Sequence, residues 1–175
     1  MPVIEVDFDP ADVITVGVVG EPGHRTFFLE ARQGPRTCTV LLEKAQLQEL
    51  GTQILNILEP EEGHSGFAPD PIGGPDGPPG WRVGSIQLAL NAPEGNCTLL
   101  LEEMPRLQLA DDEEADQEAS DLRAARLVGT VRQIRRLGES ALRAVSGGRP
   151  ICPLCHFPID PEGHVCPATN GHHPI

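Results

Sequence analysis

Aromatic residues are scarce in this chain: 3% of 175 positions, with one tryptophan and no tyrosine. That scarcity removes the stacking platforms on which single-stranded nucleic acid is held. Cations are in short supply as well, 13 Lys and Arg against 26 Asp and Glu, for a formal charge of -13. Such a balance disfavours a phosphate-neutralising surface and docking on anionic lipid, so neither nucleic acid nor membrane is expected as a partner. No run approaches the roughly 20 apolar residues a spanning helix needs, and the N-terminus lacks a basic segment followed by an apolar core. A cytoplasmic address is the simplest expectation. Catalytic signatures are missing too: there is no G-x-S-x-G elbow and no G-x-x-x-x-G-K-[ST] loop. Gly17, Gly20 and Gly23 are spaced wrongly for a dinucleotide fingerprint and lead into a strand.

What the chain does contain is written twice. Ile14 to Ala31 lies over Ile86 to Glu103 without a gap, matching Gly23 with Gly95, Thr26 with Thr98, Leu29 with Leu101 and Glu30 with Glu102. Val40 to Leu58 lies over Leu127 to Val145, matching Gln46, Leu50, Gly51 and Leu55 with Gln133, Leu137, Gly138 and Leu142. Both copies read as strand, turn, strand, strand, helix. The fold class expected is α+β: two pseudo-repeated strand-strand-strand-helix units with mainly antiparallel sheet, and a zinc knuckle at the C-terminus.

The division follows composition. Residues 1–58 form the first unit, with Val3, Ile4, Val6 and Phe8 as an edge strand or strap. Its strands, Val13 to Val19, Thr26 to Arg32 and Thr37 to Leu42, are nearly continuous apolar runs, which implies cover on more than one sheet face. Lys44 to Leu58 switches to helical period. Gly51 inside it, repeated at Gly138, marks close packing of helix on sheet. Residues 59–80 hold six prolines and six glycines in twenty-two positions, too little apolar surface to offset ordering entropy, so a mobile linker is expected. Residues 81–148 form the second unit, from Trp81 through strands Val83 to Leu90, Cys97 to Met104 and Leu122 to Val128 to the helix Thr130 to Val145. Its insertion, residues 110–121, has seven acidic residues in twelve and reads as a solvated loop. Arg123, Arg126, Arg132, Arg135, Arg136 and Arg143 crowd the last strand and helix of this unit. They read either as a phosphate or small-molecule sensor face or as cations neutralised by the acidic insertion. Cys38 and Cys97, in apolar strands, read as small buried hydrophobes.

The chemistry sits in residues 149–175. Cys152-Pro153-Leu154-Cys155 is followed by Gly163-His164-Val165-Cys166 and then His172-His173. In a C-x-x-C pair two thiolates reach one ion from a single tight turn, and His164 and Cys166 point to the same side of an extended segment. Cys152, Cys155, His164 and Cys166 make a tetrahedral zinc set, with His172 the alternative fourth ligand. A redox pair is the competing reading, but it belongs at a strand-to-helix turn, and this pair follows the last helix. A catalytic zinc would need an open position and a carboxylate base such as Asp160 or Glu162.

Val19-Gly20-Glu21-Pro22-Gly23 running into Arg25-Thr26-Phe27-Phe28-Leu29, together with the Cys-Pro-Leu-Cys and Gly-His-x-Cys-Pro tail, resembles a family of uncharacterised actinobacterial proteins. The resemblance covers nearly the whole chain. It implies a cytoplasmic bacterial protein, often encoded near a kinase-like and a histidine-phosphatase-like protein, with metal ligands at Cys152, Cys155, His164 and Cys166. The chain departs from the family at His156, where glycine is usual, and at His172-His173. The function expected is that of a non-enzymatic adaptor: a body with a structural zinc tail, recognising a protein partner. The alternatives are a zinc-dependent hydrolase and a sensor using the arginine face.

Overall fold

The computed structural model describes residues 2–21, 23–58, 73–105 and 122–146. Among these residues, seven strands and two α-helices follow in the order β1 (Val3–Phe8), β2 (Val13–Val19), β3 (Thr26–Gln33), β4 (Arg36–Leu42), α1 (Lys44–Ile57), β5 (Val83–Asn91), β6 (Asn96–Glu103), β7 (Arg123–Thr130) and α2 (Val131–Ser146). The fold is mixed α+β with mainly antiparallel sheets. The order strand, strand, strand, helix occurs twice, from β2 to α1 and from β5 to α2.

The sheets are β2-β3-β4 and β1-β7-β6-β5. Each three-strand meander is antiparallel, and in the first Leu29 of β3 stands opposite both Val16 and Val40. In the second it is Leu99 of β6, not the Leu101 that the gapless match sets against Leu29, that stands opposite Leu88 and Leu127, because the β5-β6 turn is two residues shorter than the β2-β3 turn. The lead-in segments cross over. β1, which the sequence groups with the first unit, runs parallel beside β7 of the second. Residues 80–82, leading into the second unit, run beside β4 of the first, through Gly80 N to Thr39 O, Leu41 N to Trp81 O and a parallel bridge from Leu41 to Arg82. The two halves are interlocked rather than beaded on a string.

One core unites them. Phe27, Leu29, Val40, Leu99, Leu101 and Leu127 from the sheets join Leu47, Leu50, Ile54, Ile134 and Leu137 from the helices. At about 25 cal/mol per Å² of apolar area this shared burial is the main stabilising term. In β3 both faces are buried, from Phe27 through Ala31, which accounts for an apolar run interrupted there by Glu30 alone.

The helices correct one expectation. Gly51 and Gly138 mark close packing of helix on helix, not helix on sheet: a Cβ on Gly51 would lie 3.0 Å from the Gly138 carbonyl oxygen, and one on Gly138 2.6 Å from Ile54 Cγ2. Arg135, in the second turn of α2, donates to the Leu58 carbonyl just past α1 at 2.9 Å, so the helices run antiparallel. α2 also packs along β2.

Candidate functional site

Two glutamines lock the halves together. Gln46, in the first turn of α1, accepts from the Glu43 backbone N at 2.9 Å and donates to the Val83 carbonyl at 3.0 Å. Gln133, in the first turn of α2, accepts from Thr130 N at 2.8 Å and donates to the carbonyls of Ala11 at 3.2 Å and Asp12 at 3.0 Å. Thr130 Oγ1 accepts from Gln133 N at 3.2 Å, completing a capping box. Each side chain therefore satisfies orphan amide groups of its own helix and ties down the chain entering the opposite half.

Beside Gln46 lies a cleft of about 170 Å³ between α1 and β5, lined by Gln46, Glu49, Leu50, Gln53, Gly84 and Ile86. Amides and aliphatic carbons dominate it. Glu49, its one charge, accepts from Gln53 Nε2 at 3.0 Å. This lining offers shape and hydrogen bonds but no nucleophile with an adjacent base.

A buried carboxylate stands elsewhere. Glu30 on β3 is fully buried on the sheet side opposite Leu29. Its Oε2 accepts from Asp76 N at 2.9 Å and from Thr39 Oγ1 at 3.4 Å, and Oε1 lies 3.6 Å from Arg32 Nε. Arg32 in turn donates to Asp76 Oδ2 at 2.8 Å. These contacts hold the end of the proline- and glycine-rich stretch against β3. Nothing in the sequence announced this clasp except a glutamate inside an apolar strand.

The arginine face is engaged close to home. Arg123 makes a forked pair with Glu103, Nε to Oε2 at 2.9 Å and Nη2 to Oε1 at 2.7 Å. Arg126 reaches Asp7 at 2.9 Å and Asp9 at 3.1 Å. Arg135 holds Glu139 at 3.3 Å besides the Leu58 carbonyl. The partners of Arg123 and Arg126 come from β6 and from β1 and the turn after it. Arg132 and Arg136 are exposed and Arg143 half-buried.

Cys38 and Cys97 are free and buried. Burial, with a smaller push from Glu5, raises the Cys38 thiol to about 11, and burial raises Cys97 as well. Both are poor nucleophiles at neutral pH. Among the described residues no group of three or more His, Cys, Asp or Glu could hold a metal ion, and no helix is long and apolar enough to cross a membrane. Cys152, Cys155, His164, Cys166 and His172, with Asp160 and Glu162, lie outside the described residues, as do residues 110–121.

A family model described as a protein of unknown function, DUF3090, matches residues 6–166. The chain belongs to the DUF3090 family. The matched span takes in every strand but the start of β1, both helices, and Cys152, Cys155, His164 and Cys166; it stops short of His172. No curated protein matches the chain, and no solved structure does.

Proposed function

We propose that this DUF3090 protein is a non-enzymatic adaptor. Two copies of one strand-strand-strand-helix unit form a rigid body, and a structural zinc at Cys152, Cys155, His164 and Cys166 shapes a tail that recognises a protein partner. The observation that carries the reading is the ligand set itself: C-x-x-C and H-x-C with ten residues between Cys155 and Cys166, four protein ligands that close a tetrahedral site. A closed site leaves no position for a reacting water, which weighs against a hydrolase. Supporting a duplicated body, the matching residues Gln46 and Gln133 make the same bonds, and Gly51 and Gly138 meet each other. The family match running through Cys166 is consistent with a ligand set that does not need His172. The native pairing of Arg123, Arg126 and Arg135 weighs against a phosphate sensor on that face.

The test is partner retention with metal removed. A partner co-purifying with the untagged chain should be lost when zinc is chelated, while the thermal unfolding of the body stays unchanged. A partner that remains bound after complete removal of zinc would overturn the assignment of recognition to the tail.

A further inference from the structure

We propose that Asp76-Gly77 is a self-modification site, a peptide bond that rearranges to isoaspartate, and that Arg32 and Glu30 restrain it. It is the only Asp-Gly step in the chain. The rearrangement starts when the Gly77 nitrogen attacks Cγ of the Asp76 carboxyl. A bond forms between nitrogen and Cγ, the Cγ–OH bond breaks, and the amide proton departs with the hydroxyl as water. Solvent water then opens the succinimide ring. Opening at the main-chain carbonyl leaves Gly77 joined through Cγ, and the old carbonyl carbon becomes a free carboxylate. No metal, cofactor or second protein enters that balance.

The attacking side of the bond is open. Glycine puts no side chain beside the nitrogen, and a Cβ at Gly77 would find no atom within 4 Å. Among the described residues the Gly77 amide makes no hydrogen bond. The Asp76 side chain is 62% exposed, so water reaches the ring. The carboxyl, by contrast, is held. Arg32 Nη1 donates to Asp76 Oδ2 at 2.8 Å, and the Asp76 amide donates to Oε2 of the fully buried Glu30 at 2.9 Å. Closing the ring swings Cγ onto the Gly77 nitrogen. The first bond must break for that swing, and the second fixes the backbone about which it turns.

Both restraining residues stand on β3, the middle strand of its sheet, whereas residues 73–79 are exposed or half-buried. The fixed partner therefore governs the loose one. The product cannot be clasped in the same way. An isoaspartyl residue carries its chain through one more carbon and its carboxylate on one fewer. Its carboxylate and its amide are then out of step with Arg32 and Glu30, and a buried carboxylate loses a donor at a real cost. Rearrangement at Asp76 thus releases residues 73–80 from β3, and the clasp guards the bond whose rearrangement would undo it.

Peptide mapping of the full chain after prolonged warm incubation tests this, using a protease that cuts before aspartate but not before isoaspartate. Isoaspartate at residue 76 should form at least about tenfold faster in urea than in the folded parent, as for a group that reacts only once locally opened. Arg32→Gln, checked as folded by circular dichroism, should bring the rate without urea toward the rate in urea. Asp76→Glu, whose ring would be one atom larger, should stay unmodified. Modified protein should exchange the Gly80 amide, which donates to the Thr39 carbonyl at 2.8 Å, faster than unmodified protein. Equal rates in the parent with and without urea would overturn the restraint, as would a folded Arg32→Gln that reacts as slowly as the parent. No isoaspartate at residue 76 even in urea would overturn the site, and unchanged exchange at Gly80 in modified protein would overturn the release.

Discussion

Gly51 and Gly138 occupy the crossing of the two helices, each lying where the other's helix leaves no room for a side chain. The crowding is unequal. A Cβ on Gly138 would meet Ile54 Cγ2 at 2.6 Å and Ile54 Cβ at 2.9 Å; one on Gly51 would meet the half-buried Leu142 at 2.9 Å and the Gly138 carbonyl at 3.0 Å. Ile54 is fully buried and β-branched, so it cannot turn aside. Gly138→Ala should cost about 1–3 kcal/mol despite alanine's better helix propensity, and Gly51→Ala should cost less, because Leu142 can yield. Urea unfolding measures both. A gain of about 1 kcal/mol for Gly138→Ala, the result for an uncrowded helical glycine, would contradict the close crossing.

The two capping glutamines should behave as a matched pair. Gln46→Ala and Gln133→Ala each remove a helix-end acceptor and a tie to the other half. Losses of about 1–2 kcal/mol are expected for each, similar in size. If one were costly and the other neutral by equilibrium unfolding, the equivalence of the two junctions would fail.

Much of this architecture was legible beforehand, and the reasons can be stated residue by residue. Strands such as Thr26–Gln33 announce themselves because burial on both faces demands a nearly continuous apolar run. The helices follow from Leu47, Leu50 and Ile54 at helical spacing. Pairing partners were not legible. A strand's pattern shows how many of its faces are covered, not whose edge it joins, so the placement of β1 on β7 was hidden. The same limit explains Gly51: a small residue in a helix signals close approach without saying to what. The arginines on β7 read as a sensor face or as cations neutralised by the acidic insertion, whereas the carboxylates beside them among the described residues are Glu103, Asp7 and Asp9, brought there by the crossed sheets. The proposed zinc ligands need no folded context to be noticed, since thiol and imidazole spacing is itself the signal.

Glu30 should anchor residues 73–80. Its removal leaves the buried Thr39 hydroxyl and the part-buried Asp76 amide without their acceptor. Glu30→Ala should cost about 2–3 kcal/mol and speed hydrogen exchange at Asp76 and Gly80. Arg32→Ala, which removes the cation 3.6 Å from the fully buried Glu30 carboxylate, should cost about 1–3 kcal/mol as well. Unchanged exchange in Glu30→Ala would show that the stretch is held by other contacts.

Alkaline pH should expose the buried thiol. The folded pKa of Cys38, about 11, lies above its ordinary value of 9.0. Its contribution to stability is therefore complete below about pH 9 and is lost as pH rises through 11, with a total on the order of 2 kcal/mol. The chain has no tyrosine and Lys44 is its single lysine, so the other groups titrating in that window are the remaining cysteines, Cys97 among them with its thiol raised in the same direction. Unfolding free energies at pH 8 and about 10.5 should differ less in Cys38→Ala than in the parent. An equal decline in both would remove Cys38 as its source.

The zinc site is tested most directly by metal content. Protein purified under reducing, chelator-free conditions should carry close to one zinc per chain, as four protein ligands require. His172→Ala should keep it and His164→Ala should lose it, and lowering pH should release metal as the thiolates are protonated. Near-stoichiometric zinc in His164→Ala with loss in His172→Ala would move the fourth ligand to His172. A parent protein without zinc under those conditions would contradict the metal-stabilised tail and the adaptor built on it.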